Sequence, residues 1–221
     1  RKSLDEALFL NELEDIYLPY KPKRKTRATI AIEKGLEPLA KIVFEQKERD
    51  IQKIAANYLT NQVENIEAAL QGARDIMAEW INEDLQARNV VRSIFEKSAI
   101  VESEVKKGKQ TDGAKYRDYF EFSEELRKIP SHRLLAIRRG EEEGFLKVSI
   151  TIDDERALNS LDRIYLKGMP EPKEQVADAI EDAYDRLLSP SIENEFAKLS
   201  KEKADKEAIL IFASNLRQLL L

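Results

Sequence analysis

Apolar residues return at helical spacing along most of this chain, and one short stretch breaks the period. In "SLDEALFLNELEDIYLPY", Leu4, Leu8, Leu13 and Ile16 or Tyr17 recur about every four residues, which marks an amphipathic helix. Ser3, with Glu6 three residues later, has the spacing of a capping box. Pro19 and Pro22 end this helix, because the residue before a proline disfavours α geometry. The segment "PYKPKRK" therefore reads as an extended loop. Thr26 is the expected cap of a short helix stopped by Gly35, and Pro38 falls in the first turn of another running toward Gln46.

A further short helix is expected from Asp50 to Leu59. Beyond it, Ile66, Leu70, Met77, Trp80 or Ile81, and Leu85 form a stripe continued by Val90 or Val91, Ile94 or Phe95, and Val101. This predicts one long helix, or two joined near Asn82. Trp80 falls on the apolar face, so it is expected in the core. "TDGAKYRDYFEFSEELRKIPSHRLLAIRRG" is broken by Gly113 and Pro130 and reads as short helices, the last running from near Pro130 to Gly140. "GFLKVSITID" is the exception: Phe145, Val148, Ile150 and Ile152 are strand-type residues. One strand cannot satisfy its own backbone groups. Its partner is either "RLLAIRR" in a hairpin or a segment outside this chain.

Helix resumes over "DDERALNSLDRIYL". Another is expected from "KGMPEP" to Leu188, and a last one from a Ser189–Pro190 cap pair to the end. At 1.5 Å per residue, about 30 residues extend ~45 Å. The predicted fold is all-α: a multi-helical bundle with a long C-terminal spine helix and one minor β element. The segments expected are 1–49, N-terminal helices with the loop; 50–140, a central helical region; 141–170, a strand and helix connector; and 171–221, long helices leading into a further domain. A start at Arg1 and an end on "NLRQLLL" suggest a piece of a larger protein.

Composition agrees with helices. Of 221 residues, 36% are charged and 42% apolar, with only 7 Gly and 7 Pro, which suits long exposed helices better than turn-rich sheets. The absence of Cys excludes disulfides and thiolate metal sites. With no apolar run near the ~20 residues that a membrane span needs, a cytoplasmic setting without membrane contact is expected.

Catalytic chemistry is sparse. The single histidine, His132, sits in the first turn of an expected helix and reads as a surface or capping residue. Glu141 to Glu143 lack metal-ligand spacing, and Asp153 and Asp154 suit a helix N-terminus. "KGKQTDG" lacks the spacing of a phosphate loop. No enzyme, metal or cofactor is expected.

The charge distribution is less bland. Lys21, Lys23, Arg24, Lys25 and Arg27 crowd into seven positions of a chain whose net charge is -5. Such a cluster beside Tyr17 and Tyr20 is either a solvated linker or a local phosphate-binding footprint. A helix-turn-helix over Thr26 to Glu45 is disfavoured, because Leu39, Ile42, Val43 and Phe44 of the would-be recognition helix want a core.

Four blocks, "LEDIYLPYKPKRKTRATIAIEKGLEPLA", "GARDIMAEWINED", "DGAKYRDYFEFSEELRKIPSHRLLAIRRGEEEGFLKVSI" and "KEAILIFASNLRQLLL", resemble the bacterial Tex family of transcription accessory proteins. The resemblance runs along nearly the whole chain. It implies the largely helical part that precedes an RNase H-like domain, a helix-hairpin-helix region and an OB-type RNA-binding domain. It implies nucleic acid, RNA or DNA, as the whole protein's partner, mostly through domains absent here, and the RNase H-like domain as the neighbour. It carries over no catalytic residue. The expected function is a scaffold segment with weak phosphate contact through the basic loop. The alternative is a protein-interaction scaffold that binds the transcription machinery without touching nucleic acid.

Overall fold

Thr26 opens the described part of the chain as the helix cap its sequence predicts. The computed structural model describes residues 25–220, so the expected Ser3–Tyr17 helix and most of the basic loop lie outside it. Thr29 N–H donates to Thr26 Oγ1 at 3.1 Å, and Thr26 N–H donates to Thr29 Oγ1 at 2.8 Å. That is a reciprocal capping box with threonine at its third position. Helix α1 (Arg27–Glu33) ends at Gly35, whose φ of 80° only glycine adopts cheaply. Leu36 N–H then returns to the Ala31 carbonyl, and α2 (Glu37–Glu45) follows with Pro38 in its first turn.

The chain divides into two compact units, each built from separated stretches. The first holds the described residues up to Val91 together with Asp154–Pro190. Its axis is α4 (Ile66–Glu83), capped by Asn65. Leu70, Ile76, Met77 and Ile81 of α4 are buried, and α1, α2 and α8 (Pro170–Ala183) pack around it. Gly72 permits this: a Cβ there would collide with the side chain of Leu36. The short α3 (Ile51–Ala56) and α7 (Asp154–Tyr165) complete the unit, burying Ile51, Ala55, Ala157 and Leu161. Asp84, extended at ψ 121°, separates α4 from α5 (Leu85–Ser98). Of the two expected arrangements, the interrupted one is therefore correct. Leu85 departs from the expected stripe and is exposed. Trp80 is only half-buried, set edge-on to Phe44 at 5.7 Å, because it lies at the margin of the stripe whose centre is Met77 and Ile81.

The second unit comprises Arg92–Asp153 and Ser191 onward, and here the sequence expectation needs correction. A three-stranded antiparallel sheet replaces the lone strand. Its central strand β1 (Ile100–Val105) lies between β2 (Glu121–Glu125) and β3 (Leu146–Thr151). Glu102 sits opposite Ser123 on one side and Ser149 on the other. Val101 therefore belongs to a strand and not to the α5 stripe. "RLLAIRR" is not the hairpin partner; it lies in α6 (Ser131–Glu142), which passes Gly140 and stops at Gly144, φ 81°. Ahead of β2, Ala114–Tyr119 forms a 3-10 turn.

Correction also falls on the Ser189–Pro190 cap. Ser189 is itself helical, and a π turn (Tyr184–Leu188) leads directly into α9 (Ser189–Leu220). A proline in a helix lacks the N–H and crowds the carbonyl four residues back. The widened π turn spans that residue, Arg186, and absorbs the misfit. Helix α9 has 32 residues, about 48 Å. Within the second unit Phe196 stacks on Phe95 at 5.3 Å, and Arg92 Nε donates to both carboxylate oxygens of Glu195 at 2.9 and 3.0 Å. Glu193 accepts the Ile150 N–H at 2.8 Å, covering part of the edge of β3. The described residues are thus predominantly helical, with nine α-helices, a long C-terminal helix and one small sheet.

Candidate functional site

Of the five basic residues singled out by the sequence, Lys21, Lys23 and Arg24 lie outside the described residues. Lys25 and Arg27 flank the Thr26 cap and are exposed. Each has an acidic neighbour. Lys25 Nζ is 3.3 Å from Glu33, and Arg27 Nη1 is 3.9 Å from Asp182. Exposed ion pairs of this kind contribute about 0–1 kcal/mol, so a phosphate could displace either carboxylate at little cost.

Asp182 belongs to a tighter arrangement. Its hydrogen bonds to Arg186 hold its carboxyl below the usual range against the cost of burial, with Arg27 adding a smaller attraction. Burial pushes neighbouring Asp75 the other way, and the charge on Asp182 adds to that rise. The surface around Arg27 is therefore of mixed sign. Helix α2 turns Leu39, Ala40 and Val43 into the core, so it presents no recognition face to a base edge, as its sequence suggested.

The other candidates resolve into structural roles. His132 is exposed at the first turn of α6. It lines an open groove of about 500 Å³ with Pro130, Ser131, Glu207, Ile211 and Phe212. Ser131 donates to Glu207 within this lining. The three consecutive glutamates each take a basic partner: Glu141 with Arg138, Glu142 with Lys201 and Glu143 with Lys115. The hydrogen bond from Lys201 holds Glu142 below the usual carboxylate range, and that from Lys115 does the same for Glu143. No group of three or more His, Asp or Glu among the described residues could hold a metal ion. No described helix is long and apolar enough to cross a membrane.

One basic element, around the "KGKQTDG" that lacks phosphate-loop spacing, takes on a different setting in the fold. Lys106, Lys107 and Lys109 ride on a tight turn at the end of β1, beside half-buried aromatic rings. Its signal was the interleaving in "KKGKQTDGAKYRDYFEF", visible only once the sheet brings those rings to one end.

Comparison with known proteins places the chain in a family. A sequence model of a family described as Tex central region-like matches residues 46–212. Protein YhgF of Escherichia coli is 39% identical over 232 residues, covering 100% of this chain. The transcriptional accessory protein Tex of Neisseria gonorrhoeae is 35% identical over 227 residues, again covering 100% of this chain. Human S1 RNA-binding domain-containing protein 1 is 30% identical over 239 residues. The chain spans 30% of the length of each of these two bacterial relatives and 24% of the human one. With a family model matched over most of its length and Tex relatives aligned along all of it, the chain belongs to the Tex family.

Proposed function

We propose that this chain is a helical scaffold segment of a nucleic-acid-binding transcription accessory protein. It makes weak, sequence-independent phosphate contact through Lys21, Lys23, Arg24, Lys25 and Arg27. The observation that carries the reading is kinship along the whole chain with a protein named as a transcriptional accessory protein. The name of the human relative adds an RNA-binding domain to that picture. The exposure of Lys25 and Arg27, with only weak surface pairs to displace, makes phosphate contact physically open to them. The reading assigns the chain no catalytic step, and sets it in the cytoplasm, beside an RNase H-like domain of the same protein.

Salt dependence tests it. Five phosphate contacts on duplex DNA would give a slope of about -4.5 in log salt, or roughly 500-fold weaker binding at 200 mM than at 50 mM. The pairs to Glu33 and Asp182 compete, so a shallower slope is expected. Replacing all five residues by Ala should flatten it further with the circular dichroism spectrum unchanged. Equal binding by wild type and variant at every salt concentration would remove the proposal.

A second reading rests on a different observation. Ile209, Leu210, Ile211 and Phe212 of α9 are all more than 60% exposed. An apolar run of that kind suits contact with protein, as in a scaffold that engages the transcription machinery alone.

A further inference from the structure

We infer that the end of the sheet bearing the Lys106–Lys109 turn is a separate binding surface for single-stranded nucleic acid, formed by phosphate contact and base stacking. It shares with the proposed function only the class of ligand, and none of its residues belongs to the basic segment at Lys21–Arg27.

The turn is held at both ends. Lys106 N–H donates to the Phe145 carbonyl at 2.8 Å, tying the exit of β1 to β3. Lys109 N–H closes the turn onto the Lys106 carbonyl at 3.0 Å, and Gly108 supplies the φ of 79° that such a turn requires. Gly113 N–H then donates to the Lys109 carbonyl at 2.9 Å. Three lysines are thereby projected into solvent from a backbone that is already ordered, so a phosphate chain would incur little backbone entropy cost in binding them.

Charge there is largely uncommitted. Lys106, Lys107 and the exposed Arg117 of the 3-10 turn make no ion pair with any described residue. Lys109 reaches Asp112 only at 3.9 Å, with both side chains about half exposed or more. Lys115, by contrast, is committed to Glu143 at 2.6 Å and lies 5.9 Å from the Phe145 ring centre, so it borders the site without a free charge to offer.

Aromatic residues lie at the same end of the sheet, with Phe120 and Phe145 immediately before β2 and β3. The Phe120 carbonyl accepts from Val105 N–H at 3.1 Å, which sets Phe120 on one side of the exit of β1 while Phe145 flanks the other. Tyr119 packs edge-on to Phe122 at 5.6 Å, and Arg133 lies 5.9 Å from the Phe122 ring centre. Tyr119, Phe120, Phe122 and Phe145 are all only partly buried. Core packing alone would account for rings that were fully enclosed. Half-open rings beside unpaired lysines are what a sequence-tolerant single-strand site uses, because every base has a face to stack. A duplex hides those faces. Glu104 and Glu121, directly opposite each other across β1 and β2, place negative charge at the border of this surface.

The test is fluorescence anisotropy with the full chain and a labelled 20-nucleotide oligo(dT), beside a duplex of equal length. Replacing Lys106, Lys107 and Lys109 together by Ala should reduce the log-salt slope by about 2, at ~0.7 per contact on a single strand. That amounts to about 20-fold of the affinity lost between 50 and 200 mM salt. The five-residue variant of the basic segment should retain this component, so failure of one proposal is distinguishable from failure of the other. Ultraviolet crosslinking of the oligonucleotide should map to the peptide containing Tyr119 and Phe120, or to Phe145, in the unaltered chain. The inference is overturned if the triple variant keeps the wild-type slope, if crosslinks map elsewhere, or if duplex binds as tightly as single strand. Competition by poly-glutamate as effective as that of unlabelled oligo(dT) would also overturn it, assigning the turn to acidic protein.

Discussion

Gln46 and Gly168 lock together two stretches of chain more than a hundred residues apart. Gln46 adopts left-handed geometry, φ 54°, at the end of α2. Its side-chain oxygen accepts the N–H groups of Lys167 at 3.1 Å and Gly168 at 3.2 Å, while its Nε2 donates to the Tyr165 carbonyl at 2.7 Å. Its own carbonyl accepts Met169 N–H at 2.9 Å. One residue thereby satisfies the backbone turn between α7 and α8. The approach is so close that a Cβ on Gly168 would overlap the Cβ and carbonyl oxygen of Gln46.

Gly168→Ala should therefore destabilise the protein by about 1–3 kcal/mol, the range for overpacking where the obstacle is backbone. Gln46→Ala should cost a similar amount, since it strands buried donors and acceptors. Gln46→Gly loses the same hydrogen bonds but relieves the left-handed strain, about 1–2 kcal/mol for an L-residue, so it should be the milder of the two. Urea melts rank them. A Gly168→Ala variant with the wild-type midpoint would show that the two segments are not locked.

That lock could not be read from sequence, because nothing local to Gln46 announces a partner beyond position 164. Elements set by local chemistry were readable: Thr26 as a cap, Gly35 as a stop and Pro38 in a first turn each depend on neighbours within a few residues. The sheet was not. Ile100–Val105 reads "IVESEV", and Val101 happens to continue the spacing of the preceding helix. "EFSEE" carries too much charge to resemble a strand until β1 pairs with it. The candidate site divides the same way. A contiguous run such as Lys21–Arg27 is visible in one dimension, whereas the aromatic setting of Lys106–Lys109 exists only through sheet register.

Arg138 offers a test of buried charge. Its side chain is 11% exposed, and only Nη1 finds a partner, Glu141 at 2.8 Å. Nε and Nη2 are buried with no hydrogen-bond partner. An incompletely satisfied buried cation is poorer than an apolar side chain of like volume. Arg138→Met should leave stability unchanged or raise it by about 1 kcal/mol. Glu141→Ala, which strands the guanidinium entirely, should lower it. A loss above about 2 kcal/mol for Arg138→Met would mean the guanidinium is satisfied in solution.

Asp75 and Asp182 should respond to pH in opposite senses. Burial raises the folded-state pKa of Asp75, so its charge opposes folding at neutral pH. Asp75→Asn should then raise the thermal midpoint at pH 7, and the gain should shrink as acid protonates Asp75, vanishing below about pH 4 where both states are neutral. The hydrogen bonds from Arg186 lower the pKa of Asp182. Its contribution is present above about pH 4 and lost as pH falls through the depressed value, so Asp182→Asn should be destabilising at pH 7. Thermal melts from pH 3 to 7 check both signs, and a lower midpoint for Asp75→Asn at pH 7 would contradict the burial argument.

The distal half of α9 makes the last prediction. From Ile209 onward its large apolar residues stand in solvent, with Phe212 68%, Leu219 83% and Leu220 78% exposed. Ile192 and Ala204 are the residues of the whole helix that are buried. Apolar area removed from water is worth about 25 cal/mol per Å², and exposed runs of this size promote association. The 221-residue chain should therefore self-associate at tens of micromolar, and multi-angle light scattering should show mass rising with concentration. The triple variant Phe212→Ser, Leu219→Ser, Leu220→Ser should stay monomeric, with a melting midpoint close to wild type because these side chains bury little in the single chain. A wild-type chain that remained monomeric throughout that range would show that the run is covered from within, and a variant with a sharply lower midpoint would show the same.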